Sequence, residues 1–223
     1  MNAIDLISTQ MALECIGITV AGELIRIPGP NPDTIARLFV VQHDGNYAAY
    51  PRHDLAAHIR RKLHTLPPKT AFYQQGAVQA ILEEDSRCDD IFVGKSCVFP
   101  TTMTPDDYAD VIRLDESHQR LIDEYDHRLV LSRGTVYAVI QHSHIVSTCE
   151  SSRENETAGE AWVRTLPEYR RLGYARQTTA AWAHNLQQEG KIPFYSHRWD
   201  NLASQAVAQS LGAIQYQAFV AYT

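Results

Sequence analysis

Three arginines gather around one glycine in residues 167–176, Pro167-Glu168-Tyr169-Arg170-Arg171-Leu172-Gly173-Tyr174-Ala175-Arg176. Residues 159–165 before them read as a strand that stops ahead of Pro167, because proline cannot donate to a continuing ladder. After them, Ala175, Thr178 or Thr179, Trp182 and Leu186 recur at spacings of three and four, which is one buried helix face. Gly190 then supplies the left-handed cap that ends such a helix. At the junction, Gly173 and Ala175 let backbone approach a ligand closely. The first-turn N–H groups of a helix have no acceptor inside it and carry partial positive charge, so the junction suits a pyrophosphate-like anion. Arg170, Arg171 and Arg176 add formal charge at the same place.

Downstream, residues 192–197 read as a strand, and Asp200-Asn201 is a strong N-cap pair for a helix over residues 201–211. Its apolar face is expected to be Ala203, Val207, Ser210 and Leu211. Gly212 stops it, and residues 214–222 read as a closing strand.

The Arg170-x-x-Gly173-x-Ala175 junction resembles the acyl-CoA signature of the GNAT N-acetyltransferase superfamily. Asn201-x-x-Ser204, followed by Leu211-Gly212, resembles that superfamily's second CoA-side helix at the expected distance. The likeness spans residues 108–223 and is specific over 158–213. A narrower likeness, to the zwittermicin-resistance-like branch, rests on Thr165, Pro167, Glu168, Tyr169 and Arg170 together with Asn201, Ala203 and Ser204.

The resemblance implies an α/β (α+β) GNAT fold, a mixed and mostly antiparallel sheet flanked by helices, splayed between its fourth and fifth core strands. It implies acetyl-CoA as cosubstrate, with CoA held by Val163, Arg164 and Thr165 on the strand. Arg170, Arg171, Leu172, Gly173, Tyr174, Ala175 and Arg176 hold it at the junction, and Asn201 and Ser204 at the second helix. The reaction implied is transfer of acetyl to an amine of a small molecule or peptide by direct attack in a ternary complex. The other reading open at this point is a CoA-binding sensor or interaction module without catalysis.

An alkyl ammonium has a pKa of ~10.4 and must lose its proton before it can attack, so the cleft needs a base. Glu160 stands near the position of the catalytic glutamate in several relatives. Many relatives also carry a tyrosine four residues before the glycine of Leu-Gly, where it protonates the departing thiolate. That position is Ala208 here. Ser204, Tyr195, His197 or Tyr216 could take its part, and Glu160, Ser204 and His197 form the expected catalytic set.

The remaining sequence bounds the class without choosing a substrate. With 223 residues, 44% apolar and 21% charged, the chain has the composition of a globular protein. Its net charge of −6 argues against nucleic acid as the main partner. Cys15, Cys88, Cys97 and Cys149 show no Cys-x-x-Cys pairing and read as reduced, mostly buried thiols. No apolar run approaches the ~20 residues of a membrane helix. A cytoplasmic monomer or homodimer, with no metal and no membrane or nucleic-acid partner, is the expectation.

Domains are expected at 1–100, a small α/β unit readable as a degenerate half of the same fold, and at 101–223, the catalytic domain. The boundary is placed on the threonines and prolines of residues 100–105. In the first part, strands are expected over 22–27, 37–41 and 92–99, and helices over 54–63 and 79–84. A proline-rich loop occupies 28–33, and Leu66-Pro67-Pro68 reads as a break. In the second part, residues 115–126 read as a charged amphipathic helix. Residues 135–140 and 145–149 read as a hairpin whose tip carries His142 and His144.

Overall fold

The computed structural model describes residues 3–14, 16–27, 35–99, 103, 104, 108, 110–125 and 135–223. The 28–33 loop, Cys15, Asp126 and most of the 100–105 stretch lie outside the described residues. The chain divides into two compact units. One comprises Met1–Ser96, His197–Asn201 and Gln215–Thr223, the other Cys97–Ser196 and Leu202–Ile214. The expected domains meet at a single cut after residue 100, whereas these units are interleaved in sequence. The cause is the strand Ile214–Tyr222 (β11), which runs antiparallel to Leu38–His43 (β3) and pairs Val220 with Val40.

In the first unit, Ala3–Leu13 (α1) leads to a small antiparallel pair, Ile16–Ile18 (β1) and Leu24–Arg26 (β2). β3 and Asn46–Pro51 (β4) form a hairpin whose turn residues Asp44 and Gly45 have φ of 47° and 77°. Both central positions are left-handed, which matches the twist of the flanking strands. Three helices follow: Ala57–Thr65 (α2), Pro68–Tyr73 (α3) and Gln75–Leu82 (α4). Ile59 and Leu63, one turn apart on α2, join Val78 and Leu82 of α4 and Val40 and Val220 of the sheet in one core. The opposite face of α2 is basic, but Arg60 pairs with Glu23 at 2.8 Å and Lys62 with Glu84 at 2.6 Å. At the end of α4, the buried Arg37 guanidinium donates to the carbonyls of Leu82 at 2.8 Å and Ser86 at 2.7 Å. A cation is favoured there because the last carbonyls of a helix have no internal donors.

The second unit is built on a sheet of order β10-β9-β8-β7-β6. Its strands are Val111–Arg113 (β6), Val136–Gln141 (β7), His144–Glu154 (β8), Ala158–Thr165 (β9) and Ile192–Arg198 (β10). Among these neighbours β9 and β10 run parallel and the other pairs antiparallel. The β7–β8 hairpin turns at His142 and Ser143, with φ of 50° and 64°, as the sequence predicts. Asp115 caps a short 3-10 turn by accepting from Ser117 N–H at 2.9 Å, and Gln119–Tyr125 (α5) follows. The crossover between β9 and β10 is Tyr174–Gln188 (α6), with Thr178, Thr179, Trp182 and Leu186 buried as expected. It ends where Lys191 N–H returns to the Leu186 carbonyl and Gly190 takes φ 75°. Beneath α6, Trp182 Nε1 donates to Ser151 Oγ at 2.8 Å. Gly159 lies beside it, and a Cβ there would stand 2.7 Å from Leu186 Cδ1, so the tip of the Leu186 side chain would have to shift.

The last helix, Leu202–Ser210 (α7), buries Ala208, and Leu211 beyond its end is buried too; Ala203 and Ser210 are exposed. That corrects the expected face by about one position. The helix begins at Leu202, so Ser204 and Ala208, four apart, share the inward stripe.

The strand β5, Ile91–Val98, carries Gly94, whose added Cβ would lie 2.8 Å from the His197 carbonyl oxygen. Backbone cannot yield as a side-chain tip can. Gly94→Ala is therefore expected to destabilise the protein by about 1–3 kcal/mol in urea unfolding; a midpoint matching wild type would mean that the strands separate without cost.

Candidate functional site

β9 and β10 pair over three positions only: Ile192 with Ala158, Pro193 with Gly159 and Phe194 with Glu160. Ile192 N–H donates to the Thr157 carbonyl, which sets the parity of this parallel ladder. Odd-numbered residues of β9 turn their backbone groups toward β10 and even-numbered ones toward β8. The β8 side agrees, because Leu166 N–H donates to the Val146 carbonyl. In a continued ladder Ser196 N–H would reach the Ala161 carbonyl. It meets the Glu160 carboxylate instead, at 2.7 Å. The side chain of one strand thus replaces the backbone ladder at the point of divergence, and the sheet opens beyond it.

On the other edge of β9, the β8 register shifts between Ser151 and Arg153. Ser152, the extra residue of that bulge, donates from its hydroxyl to the Glu160 carbonyl at 3.1 Å. Bulges bend the strand that carries them and end regular pairing nearby. Glu160 is held through both its main chain and its side chain, and it is buried to 5% exposure.

From residue 161 to 165, β9 has no paired strand on the β10 side among the described residues. Parity turns the backbone of Ala161, Val163 and Thr165 to that opening. Arg164 turns the other way: its carbonyl accepts the Tyr125 hydroxyl at 3.1 Å, and its guanidinium carbon lies 5.3 Å from the centre of the Tyr125 ring. Of the three strand residues expected to meet a ligand through backbone, Val163 and Thr165 face the gap and Arg164 faces away from it. Residue types carry no parity by which to make this choice; the register does.

Beyond Thr165 the chain makes one 3-10 turn, Pro167–Tyr169, and enters α6 through an unusual backbone. Arg171 and Gly173 have φ of 65° and 84°, with Leu172 between them on the ordinary side. Alternating left- and right-handed residues turn successive N–H groups to one side, which is the geometry of an anion nest. Gly173 is the N-cap residue of α6, and no side chain caps that helix. A left-handed backbone suits Gly173, but at Arg171 it is strained, and strain of this kind marks functional turns. The Arg170 Nε donates to the Thr165 carbonyl at 3.3 Å, which ties this arginine back toward the strand.

Tyr195 follows the last paired position of β10. Its hydroxyl is hydrogen-bonded to Ser204, and burial pushes its pKa up to about 12, with the nearby Glu160 contributing in the same direction. The structure therefore brings Tyr195 and Ser204 together, with the Glu160 charge near enough to be felt by the phenol. Ala208, at the position where the resemblance places a tyrosine in relatives, lies in the same core cluster as Tyr195. His197 and Asn201 belong to the first unit. There, His197 Nδ1 is hydrogen-bonded to the Arg198 carbonyl at 3.0 Å, and Asn201 N–H donates to the same carbonyl at 3.1 Å. Sequence reasoning missed Ser152, Ser196 and Tyr125, and neither a bulge nor a single backbone donor leaves a periodic trace by which to find them.

Among the described residues, no group of three or more His, Cys, Asp or Glu side chains is placed to hold a metal ion. Cys88, Cys97 and Cys149 are buried free thiols, and no described helix is long and apolar enough to cross a membrane.

Residues 115–222 match the family model of the GNAT acetyltransferases. No curated protein matches the chain. Among solved structures, a GNAT-family acetyltransferase from Colwellia psychrerythraea is similar at 10% identity and TM-score 0.54, over 100% of this chain and 97% of that one. Another GNAT-family acetyltransferase, from Novosphingobium aromaticivorans, is similar at 15% identity and TM-score 0.53, over 61% of this chain and 66% of that one. At these identities the likeness speaks for the fold. The partly opened parallel pair and the glycine junction that follows it both lie within residues 115–222, the stretch that is similar to the GNAT acetyltransferases.

Proposed function

We propose that the protein transfers an acetyl group from acetyl-CoA to an amine of a small molecule or peptide, by direct attack with both substrates bound. The opening between β9 and β10, wedged by the Glu160 carboxylate, is the observation that carries this reading. Pantetheine is a chain of amides and can add to a strand edge in place of the missing ladder. Val163 and Thr165 present the backbone groups for it. The pyrophosphate is received by the nest at residues 171–173 and by the first-turn amides of α6, with the neighbouring arginines supplying charge. When bound, acetyl-CoA supplies an activated acyl carbon on a good leaving group.

Glu160 acts as base at the mouth of the opening, directly or through water. An ionised carboxylate offers about four lone-pair sites, so besides the Ser196 N–H it can accept from a donor such as an amine or water. Burial on a fixed backbone keeps its position constant. The amine reaches neutrality by giving its proton to this carboxylate, and it is then a nucleophile held near the acyl carbon.

Two substitutions test the two halves separately. Gly173→Glu puts a side chain on a left-handed residue and negative charge into the nest; CoA binding measured by calorimetry is expected to weaken by tenfold or more, and undiminished affinity would reject the nest as the phosphate site. Glu160→Gln keeps an acceptor for Ser196 N–H. It is expected to lower kcat by ~100-fold with an accepted amine while CoA affinity stays within about twofold. A wild-type rate between pH 6 and 9 would leave Glu160 with only its role in opening the sheet.

A further inference from the structure

A strand turns alternate side chains to opposite faces, and on β9 the two faces differ in what covers them. Gly159 backs onto Leu186 and Trp182, and Ala161 and Val163 pack in the cluster built on α6, so the odd-numbered face belongs to that helix. Glu160, Trp162 and Arg164 stand on the other face. Its far end is capped: the Arg164 guanidinium carbon lies 5.3 Å from the centre of the Tyr125 ring, and the Tyr125 hydroxyl donates to the Arg164 carbonyl. Between that cap and Glu160, Trp162 is 60% exposed. An indole has a large apolar surface to bury, and Trp182 shows the ordinary outcome, wholly buried with its N–H donating to Ser151. Trp162 is left to solvent two residues from the proposed base, and the fold makes no use of its surface.

The charged groups around the indole decide what kind of molecule this surface suits. In the β8–β9 register Glu150 stands opposite Trp162 and Arg153 opposite Glu160, and directly opposed residues of an antiparallel pair share a face. Two carboxylates, Glu150 and Glu160, thus stand with two guanidiniums, Arg153 and Arg164, and the formal charges cancel over the patch. A ligand with several cations gains nothing from such a surface; one ammonium destined for Glu160 is enough. The recognition that remains is aromatic. A strand rises about 3.3 Å per residue, so Trp162 lies about 7 Å along β9 from Glu160. Rings prefer offset or edge-on contact with centres about 4.5–7 Å apart. A nitrogen at the Glu160 carboxylate and a flat ring against the indole are therefore joined by a short alkyl spacer.

We propose that Trp162 is the specificity-determining residue of the acceptor side, and that the acceptor is an arylalkyl amine whose ring stacks on the indole while its nitrogen reaches Glu160. The ring takes no part in the chemistry. Its contact fixes where the nitrogen stands once the ammonium has given its proton to the carboxylate. The inference rests on the acetyl-transfer reading above, since it takes Glu160 as the base, and it goes further by choosing among amines.

Two measurements test it, and the first needs no turnover. Of the three tryptophans, Trp182 is buried and Trp199 exposed, so in a Trp199→Phe background Trp162 is the exposed indole that remains. Phenethylamine added to that protein is expected to change its tryptophan emission saturably, and to change nothing once Trp162→Phe is added. The second measurement follows thiol release from acetyl-CoA with phenethylamine, ethylamine and putrescine, a dication. Phenethylamine is expected to show a kcat/KM about tenfold or more above the other two. Trp162→Ala is expected to lower that value by about tenfold, through KM, while ethylamine changes by less than about twofold, and Trp162→Phe to keep most of it. Packing damage alone would not separate two amines in this way. An emission indifferent to phenethylamine, a loss in Trp162→Ala shared equally by ethylamine, or a preference for putrescine would each overturn this inference and leave acetyl transfer standing. So would thiol release supported by other primary amines but by none of these three. Release with no amine at all would overturn the acetyl-transfer reading as well.

Discussion

When two parallel strands part, the next backbone donor along the ladder loses its acceptor, and a buried N–H left so would cost on the order of 1–3 kcal/mol. Here that donor is Ser196 N–H, and the Glu160 carboxylate accepts it at 2.7 Å. The opening is possible because a side chain stands in for a carbonyl at that step. Everything else in the second unit is arranged around this substitution. The bulge at Ser152 bends the neighbouring strand and holds the Glu160 carbonyl, α6 supplies the crossover that a parallel pair requires, and the residues after Thr165 begin the turn that leads into α6.

One carboxylate therefore carries a structural duty and, in the proposed reaction, a chemical one. The combination has a physical logic. A base has to be held rigidly near the acyl carbon, and a group that already satisfies a strand's donor is held by the sheet itself. The ladder parity that turns the Val163 backbone to the gap also turns the Arg164 carbonyl to Tyr125, so one strand presents a ligand edge and a buttressed edge together.

Much of the second unit was legible because its signals are local. Arg170, Gly173 and Ala175 sit at a strand–helix junction, the face of α6 repeats at three and four, and His142-Ser143 turns a hairpin. The first unit was harder to read. Leu66-Pro67-Pro68 does break the chain, since α2 ends at Thr65, and Pro68 then opens α3 at its first position, where the missing N–H has no partner to lose. Asp44-Gly45 is a hairpin signal by type and spacing, and it joins β3 to β4. The inward stripe of α7 was misplaced because small residues surround it on all sides, so periodicity could not separate Ser204 and Ala208 from Ala203 and Ser210. The closure of β11 on β3 leaves no trace in either segment alone.

That closure governs how the molecule comes into being. The pairs Leu38–Tyr222 and Val40–Val220 join residues separated by most of the chain. Closing so long a loop costs entropy before any contact repays it, so this pairing belongs to the slow, late class of folding events. During synthesis, β3 and β4 leave the ribosome well before their third strand exists. Until residues 215–222 arrive, β3 has a bare edge of the kind that recruits other chains. The first sheet is thus completed only after residues 215–222 have been delivered, and the interval before that is where a nascent chain of this protein is most open to capture by chaperones or by its own copies.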